Sequence, residues 1–440
     1  MKRAAAMGAL WAAVCLGGDW PQWRGPASQG VSAETGLPVR WGPAQNIDWT
    51  AELTGFGASS PIVVNGLAIV TSQIGSYSQA DGRDPRLARD DRDLAGRESA
   101  IGSGIAASGG KLELAVEAFR VSDGKRAWEV RMPVEGPRPD MHEKHNLATP
   151  TPATDGERVY AWFGNGQLAA LELDGKVAWK RSLGEYGSFL NLWGHGSSPA
   201  LYKDSVILLV DHRPVSYLLA LDKNTGKELW KVDRGSGRVS HSTPVIADGP
   251  NGPEMIVNSS ERIDAYDPAT GKFLWHAAAE RQTPIPTAVS HGGMIYMARG
   301  YRNSDILAIR PGGRGDVTES HIQYRIPNGG SYVPSILYYQ GLLYMTNEVG
   351  VVTCADARTG ERVWRQRLGG IFFASPVGAG GHVYMMSETG ETYVLAAGRE
   401  AKVVATNTLP GRFLASPAVS GGRVFLRSDG KLFAVGGAGK

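Results

Sequence analysis

Cysteine is nearly absent, with Cys15 and Cys354 the only two in 440 residues. A mature chain that has lost Cys15 forms no internal disulfide even in an oxidising compartment, so its stability must come from packing. Charge of one sign is lacking too. The 46 basic and 43 acidic residues leave a net charge of +3, and no run of Lys or Arg exceeds two. That excludes the basic footprint of a nucleic-acid or anionic-membrane binder. Long apolar runs are missing: Ala4 to Leu16 covers 13 residues, and a bilayer needs about 20. There is no Gly-x-x-x-x-Gly-Lys-Ser/Thr, no complete Gly-x-Gly-x-x-Gly and no Gly-x-Ser-x-Gly. His142-Glu143-Lys144-His145 spaces its histidines by three and lies among Pro and Gly, whereas a zincin needs them at i and i+4 on a helix.

Glycine is plentiful, with 58 residues beside 25 prolines, while hydrophobic residues make up 42%. This is a turn-rich chain able to build a large core. Lys2-Arg3, the apolar stretch and Gly17-Gly18 read as a secretory signal peptide over residues 1–17, cleaved after Gly17. Removing it leaves 44 basic against 43 acidic side chains. A periplasmic or secreted protein is expected. The alternative is an outer-membrane lipoprotein anchored through Cys15, although Val14 stands where lipoprotein signals carry Gly, Ala or Ser.

One motif recurs as Ala-x-Asp-x-x-x-Gly-Lys-x-x-Trp, at Ala220 to Trp230 and Ala265 to Trp275, with weaker copies ending at Trp128, Trp179 and Trp364. It predicts a β-hairpin: Asp accepts turn N–H groups, Gly supplies positive φ, and the second strand carries an apolar ring for docking on a neighbour. A small-polar-Pro step precedes each hairpin at Ser60-Pro61, Thr151-Pro152, Ser198-Pro199, Thr243-Pro244, Ser375-Pro376 and Ser416-Pro417, with looser copies at Pro286 and Pro334. Both series count to eight once Trp49, Tyr324 and Asn407 join the Trp series. Four short strands per 40–50 residues predict an all-β, eight-bladed propeller, closed by the strand of Trp49 joining Val424 to Val435. The expected layout is an extension at 18–47, then one propeller over 48–440. It is interrupted at about 73–111 by a charged, Gly/Ser/Ala-rich insertion that reads as a surface loop, with a folded flap over the propeller mouth as the alternative.

The Trp-ended hairpins and the start Trp20-Pro21-Gln22-Trp23-Arg24-Gly25-Pro26 resemble exported bacterial propellers with pyrroloquinoline quinone (PQQ) type repeats, within the quinoprotein alcohol dehydrogenase-like and WD40/YVTN-like superfamilies. The resemblance implies tryptophan docking by Trp128, Trp179, Trp230, Trp275 and Trp364. The family holds quinoprotein dehydrogenases and the propeller lipoprotein of the outer-membrane assembly machinery, which binds no quinone. The dehydrogenases imply a Trp platform, carboxylate and amide ligands for Ca²⁺, a catalytic Asp and often adjacent cysteines. The cysteine pair is missing, no catalytic Asp can be mapped, and Asn146, Asn191 and Asp211 are ligand-type residues with no motif uniting them.

Repeat register places His145-Asn146, His195 and His241 ahead of three consecutive inner strands, with Phe56, Tyr332, Phe373 and Phe413 at comparable positions elsewhere. A funnel polar on one side and aromatic on the other describes a small-molecule pocket, and three imidazoles can also hold a metal. The structural alternative is that the histidines satisfy loop carbonyls while the rings plug the axis. The expectation is a monomeric binding or scaffold module for a small ligand or protein, without nucleic acid. The alternative is a PQQ-dependent alcohol or sugar dehydrogenase-like oxidoreductase with calcium.

Overall fold

The computed structural model describes residues 18–75, 77–78, 106–107, 111–136, 144–183, 194–212, 215–280, 282–300 and 305–436. The expected leader with Cys15, most of the 73–111 insertion, and His142, Glu143 and Asn191 lie outside them.

Eight antiparallel sheets follow one another as the blades of a propeller. Their inner strands, from blade 1 to blade 8, are Ile62–Val64, Ala153–Thr154, Ala200–Tyr202, Val245–Gly249, Val289–His291, Leu337–Tyr339, Val377–Ala379 and Ala418–Ser420. Each sheet then runs outward in chain order. In blade 3 the second strand, Ser205–Asp211, is buried at every position, while the outermost, Glu228–Asp233, alternates. A middle strand is covered by a blade on either face, so its sequence is continuously apolar; an outer strand has one wet side. Blade 8 takes its outer strand from the other end of the chain: Ile47–Glu52 pairs antiparallel with Lys431–Gly436, Trp49 opposite Ala434. No edge is left where the ring meets.

The repeated hairpins have the predicted chemistry. Asp222 Oδ1 accepts the N–H groups of Asn224 and Thr225 at 3.1 and 2.8 Å, and Gly226 follows at φ 69°. Each outer strand has a register shift at the same place, a bulge that stands beside an aromatic ring in every blade but the seventh. Trp49, Trp128, Trp179, Trp230 and Tyr324 lie over Gly124, Gly175, Gly226, Gly271 and Gly360 of the following blade. Trp128 and Trp179 also donate to the Leu173 and Lys223 carbonyls at 2.7 and 2.9 Å, and Trp364 donates to Gly398 at 3.1 Å. Trp275 differs. It is fully buried and donates to Glu254 Oε2 at 2.7 Å, beneath an added strand, Gly315–Asp316.

The small-polar step has a structural meaning that its prolines only approximate. Backbone N–H groups donate to hydroxyls around the inner ring: Ser60 to Thr151 (2.9 Å), Thr151 to Ser198 (3.0 Å) and Ser198 to Thr243 (3.0 Å). On the other side Thr287 donates to Ser335 (3.0 Å), Ser335 to Ser375 (2.9 Å), Ser375 to Ser416 (2.8 Å) and Ser416 to Ser60 (3.0 Å). Between Thr243 and Thr287 the joint is His241 N–H to the Pro284 carbonyl, 2.9 Å. Blades 5 and 6 keep the hydroxyl, but Pro286 and Pro334 precede it instead of following it.

Residues 18–46 form a strap against the inner strands. Trp20 exchanges both backbone bonds with Val63 at 2.8 Å, and Pro21 accepts from Thr154 at 2.8 Å. Across the axis, Trp23 Nε1 donates to Thr287 Oγ1 at 3.0 Å, Arg24 Nη2 to the Ile336 carbonyl at 2.7 Å, and Val31 pairs with Gly378. Blades 1, 2, 5, 6 and 7 are thus tied to one segment. Blade 7 departs from the expected register: Ala405, not Asn407, stands beside the bulge where the other blades carry the ring, and Asn407, two residues on, accepts Trp41 N–H at 3.0 Å and donates to the Val39 carbonyl at 2.9 Å. Trp41 then stacks on Tyr384 at 6.3 Å between centroids, as Trp179 lies on Tyr160 at 6.3 Å. The strap supplies the ring that blade 7 lacks.

Candidate functional site

In each blade, the connection from the preceding outer strand and the turn between second and third strands emerge at the same end. Loops of both kinds carry histidine on blades 2 to 4. His145, His195 and His241 precede inner strands, and His212 follows Ser205–Asp211. His145 and His241 have ring centroids 6.0 Å apart, and His195 Nδ1 lies 3.0 Å from His212 Nε2, so one of these two nitrogens carries the proton. Trp162 closes on His195 at 4.1 Å between centroids. Gly196 permits the approach: a Cβ there would stand 3.3 Å from His241 Cβ and 3.8 Å from His145 Cε1. His195, His212 and His241 are all buried, and His145 is partly buried. Burial lowers the His145 pKa to about 4. Burial, then the neighbouring imidazoles, hold His195 and His241 well below their ordinary value. These side chains are neutral at pH 7.

The aromatic positions do not form one wall. Phe413 is fully buried against Phe433 at 6.0 Å, within the packing of blades 7 and 8, and Phe372 occupies the corresponding place on blade 7 beside Tyr393. His195 stands at the same offset, four residues before its proline, as Phe372 and Phe413 do. Phe373 is half-buried under Lys144 Nζ, 3.8 Å from the ring centroid. Lys144 also approaches Glu388 at 3.7 Å, and Glu388 accepts Arg412 Nε at 2.8 Å. Lys144 therefore joins the loop ahead of blade 2 to the loops of blade 7. Tyr332 is half-buried in the loop ahead of blade 6, and Phe56 is 56% exposed. The structure thus brings His145, His195 and His241 together with His212, which no repeat register signalled. It leaves Phe413 in the core.

Asn146 and Asp211 are occupied otherwise. Asn146 Oδ1 accepts Ala148 N–H at 2.8 Å and shapes its own turn. Asp211 receives Arg234 through Nε and Nη2 at 2.8 and 3.0 Å, and the Ser259 hydroxyl at 2.9 Å.

These features define an eight-bladed propeller of the PQQ-like class. The model of the family described as outer membrane protein assembly factor BamB matches residues 44–185, 112–314, 302–402 and 348–438, and the chain belongs to that family. It is 25% identical over 290 residues to tetrathionate hydrolase of Acidithiobacillus ferrooxidans, covering 61% of this chain and 53% of that protein. The chain thus spans about half the length of this relative. Among solved structures it resembles BamB from Moraxella catarrhalis, with a TM-score of 0.58 at 15% identity over 88% of this chain and 98% of that one. It also resembles quinohemoprotein alcohol dehydrogenase from Comamonas testosteroni, with a TM-score of 0.59 at 14% identity over 96% and 81%. At these identities the likeness is one of fold.

A quinone with Ca²⁺ requires oxygen ligands free to converge. The described residues do not fit that requirement. Asp211 is committed to Arg234 and Asn146 to its turn, and no three His, Cys, Asp or Glu among the described residues are grouped to hold a metal ion. The blade-end indoles are committed to their neighbouring turns.

Proposed function

We propose that this protein is a binding module, exported after loss of residues 1–17 and acting as a monomer, whose ligand end is the histidine-bearing mouth. One observation carries the reading. His195 occupies the offset that blades 7 and 8 fill with Phe372 and Phe413. The fold thus has an apolar solution for this place, and a buried polar ring costs free energy that packing does not require. Residues that depart from a fold's own solution mark function. His145, His212 and His241 converge on the same spot with Trp162. Together they offer imidazole donors and acceptors beside an aromatic wall, which suits a small polar ligand.

The test is His195→Phe. The variant is expected to unfold at a higher temperature than the wild type and to lose a small-molecule mass retained by wild-type protein in native mass spectrometry after purification from its host. A variant that is destabilised and still carries the same mass would refute the reading.

The relative named tetrathionate hydrolase favours a second reading, hydrolysis of a sulfur anion at this mouth. Incubation with tetrathionate, followed by assay of released thiosulfate, sulfate and elemental sulfur, tests it. The quinoprotein alternative is tested by adding PQQ and Ca²⁺ and watching for a bound chromophore and reduction of an artificial electron acceptor. The donor set described above gives it no support.

A further inference from the structure

A cleft of about 310 Å³ opens on the same end of the molecule between blades 3 and 4, lined by Arg234, Ser236, Arg238, Ser260, Glu261 and Arg262. We infer that it is a binding site for a small oxyanion, or for the sulfonate, sulfate or phosphate end of a larger molecule, held by Arg238 and Arg262. The inference stands on this cleft and does not require the histidines to bind anything.

Arg234 is the post of the site. It has no exposed surface, it grips Asp211 with two nitrogens, and its Nη1 lies 3.1 Å from Asp264 Oδ2 and bonds the Tyr266 hydroxyl. Burial opposes its charge, but Asp211 and Asp264 outweigh burial and raise its pKa. Asp264, equally buried, also accepts from Arg238 Nη1 at 2.9 Å, and Arg262 Nε lies 2.6 Å from its Oδ1 as an ion pair without a hydrogen bond. Three guanidinium groups therefore converge on one carboxylate, with only Arg234 drawing on a second. A fourth, Arg299, is buried behind the Ser260 turn and donates to the Ser259 and Ser260 carbonyls at 2.7 and 3.1 Å. Burial lowers its pKa to about 10. Among the described residues, Arg325 and Glu280 also act on Arg299, so five arginines stand against Asp211, Asp264, Glu261 and Glu280, and positive charge is in surplus by one.

The surplus sits where a ligand can use it. The Arg238 and Arg262 side chains are 20% and 31% exposed. Arg238 Nη2 and both Nη groups of Arg262 make no hydrogen bond among the described residues, and the same holds for the Ser236 and Ser260 hydroxyls. Guanidinium forks recognise oxyanions through paired N–H donors, which distinguishes such ions from a halide of equal charge. Arg234 and Asp264 fix both forks from beneath, so little order must be gained on binding.

Titration calorimetry with sodium sulfate, sodium phosphate and potassium tetrathionate, against sodium chloride at matched ionic strength, tests the site. At least one anion is expected to bind saturably beyond the chloride control. The double variant Arg238→Gln/Arg262→Gln should weaken it at least tenfold. Arg238→Lys/Arg262→Lys, which keeps charge and loses the forks, should also weaken binding at an unaltered unfolding temperature, so a folding defect cannot account for the result. Similar binding of sulfate and phosphate would identify a single tetrahedral head as the ligand. A tenfold preference for tetrathionate would identify a longer, two-headed anion lying along the cleft. No saturable binding of any of the three, or wild-type affinity in the glutamine variant, would overturn the inference.

Discussion

The indole of Trp179 covers Gly226 of the following blade so closely that a Cβ at Gly226 would stand 2.7 Å from indole Cε3. Gly226 also holds φ 69°, so Ala there meets two penalties, a left-handed backbone costing about 1–2 kcal/mol and displacement of the ring. Gly226→Ala should lower the urea midpoint at unchanged slope. Trp179→Ala removes a half-buried ring and its bond to Lys223, and should cost about 2–3 kcal/mol, somewhat below the value for a fully buried Trp.

Trp41 lies outside every repeat, yet it serves blade 7 as Trp179 serves blade 2. It is buried to 4% exposure. Trp41→Ala is expected to cost about 3–5 kcal/mol in chemical unfolding, more than loss of the half-buried motif ring Trp179.

Ser60 accepts the bond that joins the last blade to the first. Ser60→Ala leaves the buried Ser416 N–H without its acceptor and should cost about 1–3 kcal/mol, whereas Ser60→Thr should be nearly silent because Thr151 fills the same role on blade 2.

Acid should weaken the protein through its histidines. His145 has its folded-state pKa lowered from 6.5 to about 4 by burial. Between those values the unfolded chain binds the proton and the folded chain does not. Stability therefore falls as the pH drops through this range and is recovered above 6.5. His145 alone contributes up to about 3 kcal/mol, and His195 and His241 act in the same direction. Thermal unfolding followed from pH 7 to pH 4.5 should show a steep decline that His145→Asn flattens.

The blade count was legible because seven outer strands carry a docking ring and all eight blades an inner hydroxyl, and both recur in sequence. Register inside the loops was harder to read. Proline marks the hydroxyl in six blades but shifts by two positions relative to it at Thr287 and Ser335. One residue separates half-buried Phe373 from fully buried Phe372. His212 follows a second strand, where no repeated neighbour flags it, and only the fold brings it to His195. The arginine cleft escaped notice for a related reason: Arg234, Arg238 and Arg262 balance acids in any count of charge, and their surplus is local.

The closure by Ile47–Glu52 also has a consequence for timing. Residues 18–52 leave the ribosome before any blade exists, but their partners include Gly378, Asn407 and Lys431–Gly436, near the other end of the chain. Trp20 and Pro21 find Val63 and Thr154 early, but Ile47–Glu52 must wait, unpaired, until Lys431–Gly436 has been synthesised. Truncation near residue 430 would strand both segments together, so blade 8, and with it the closure of the ring, forms only once Lys431–Gly436 is present.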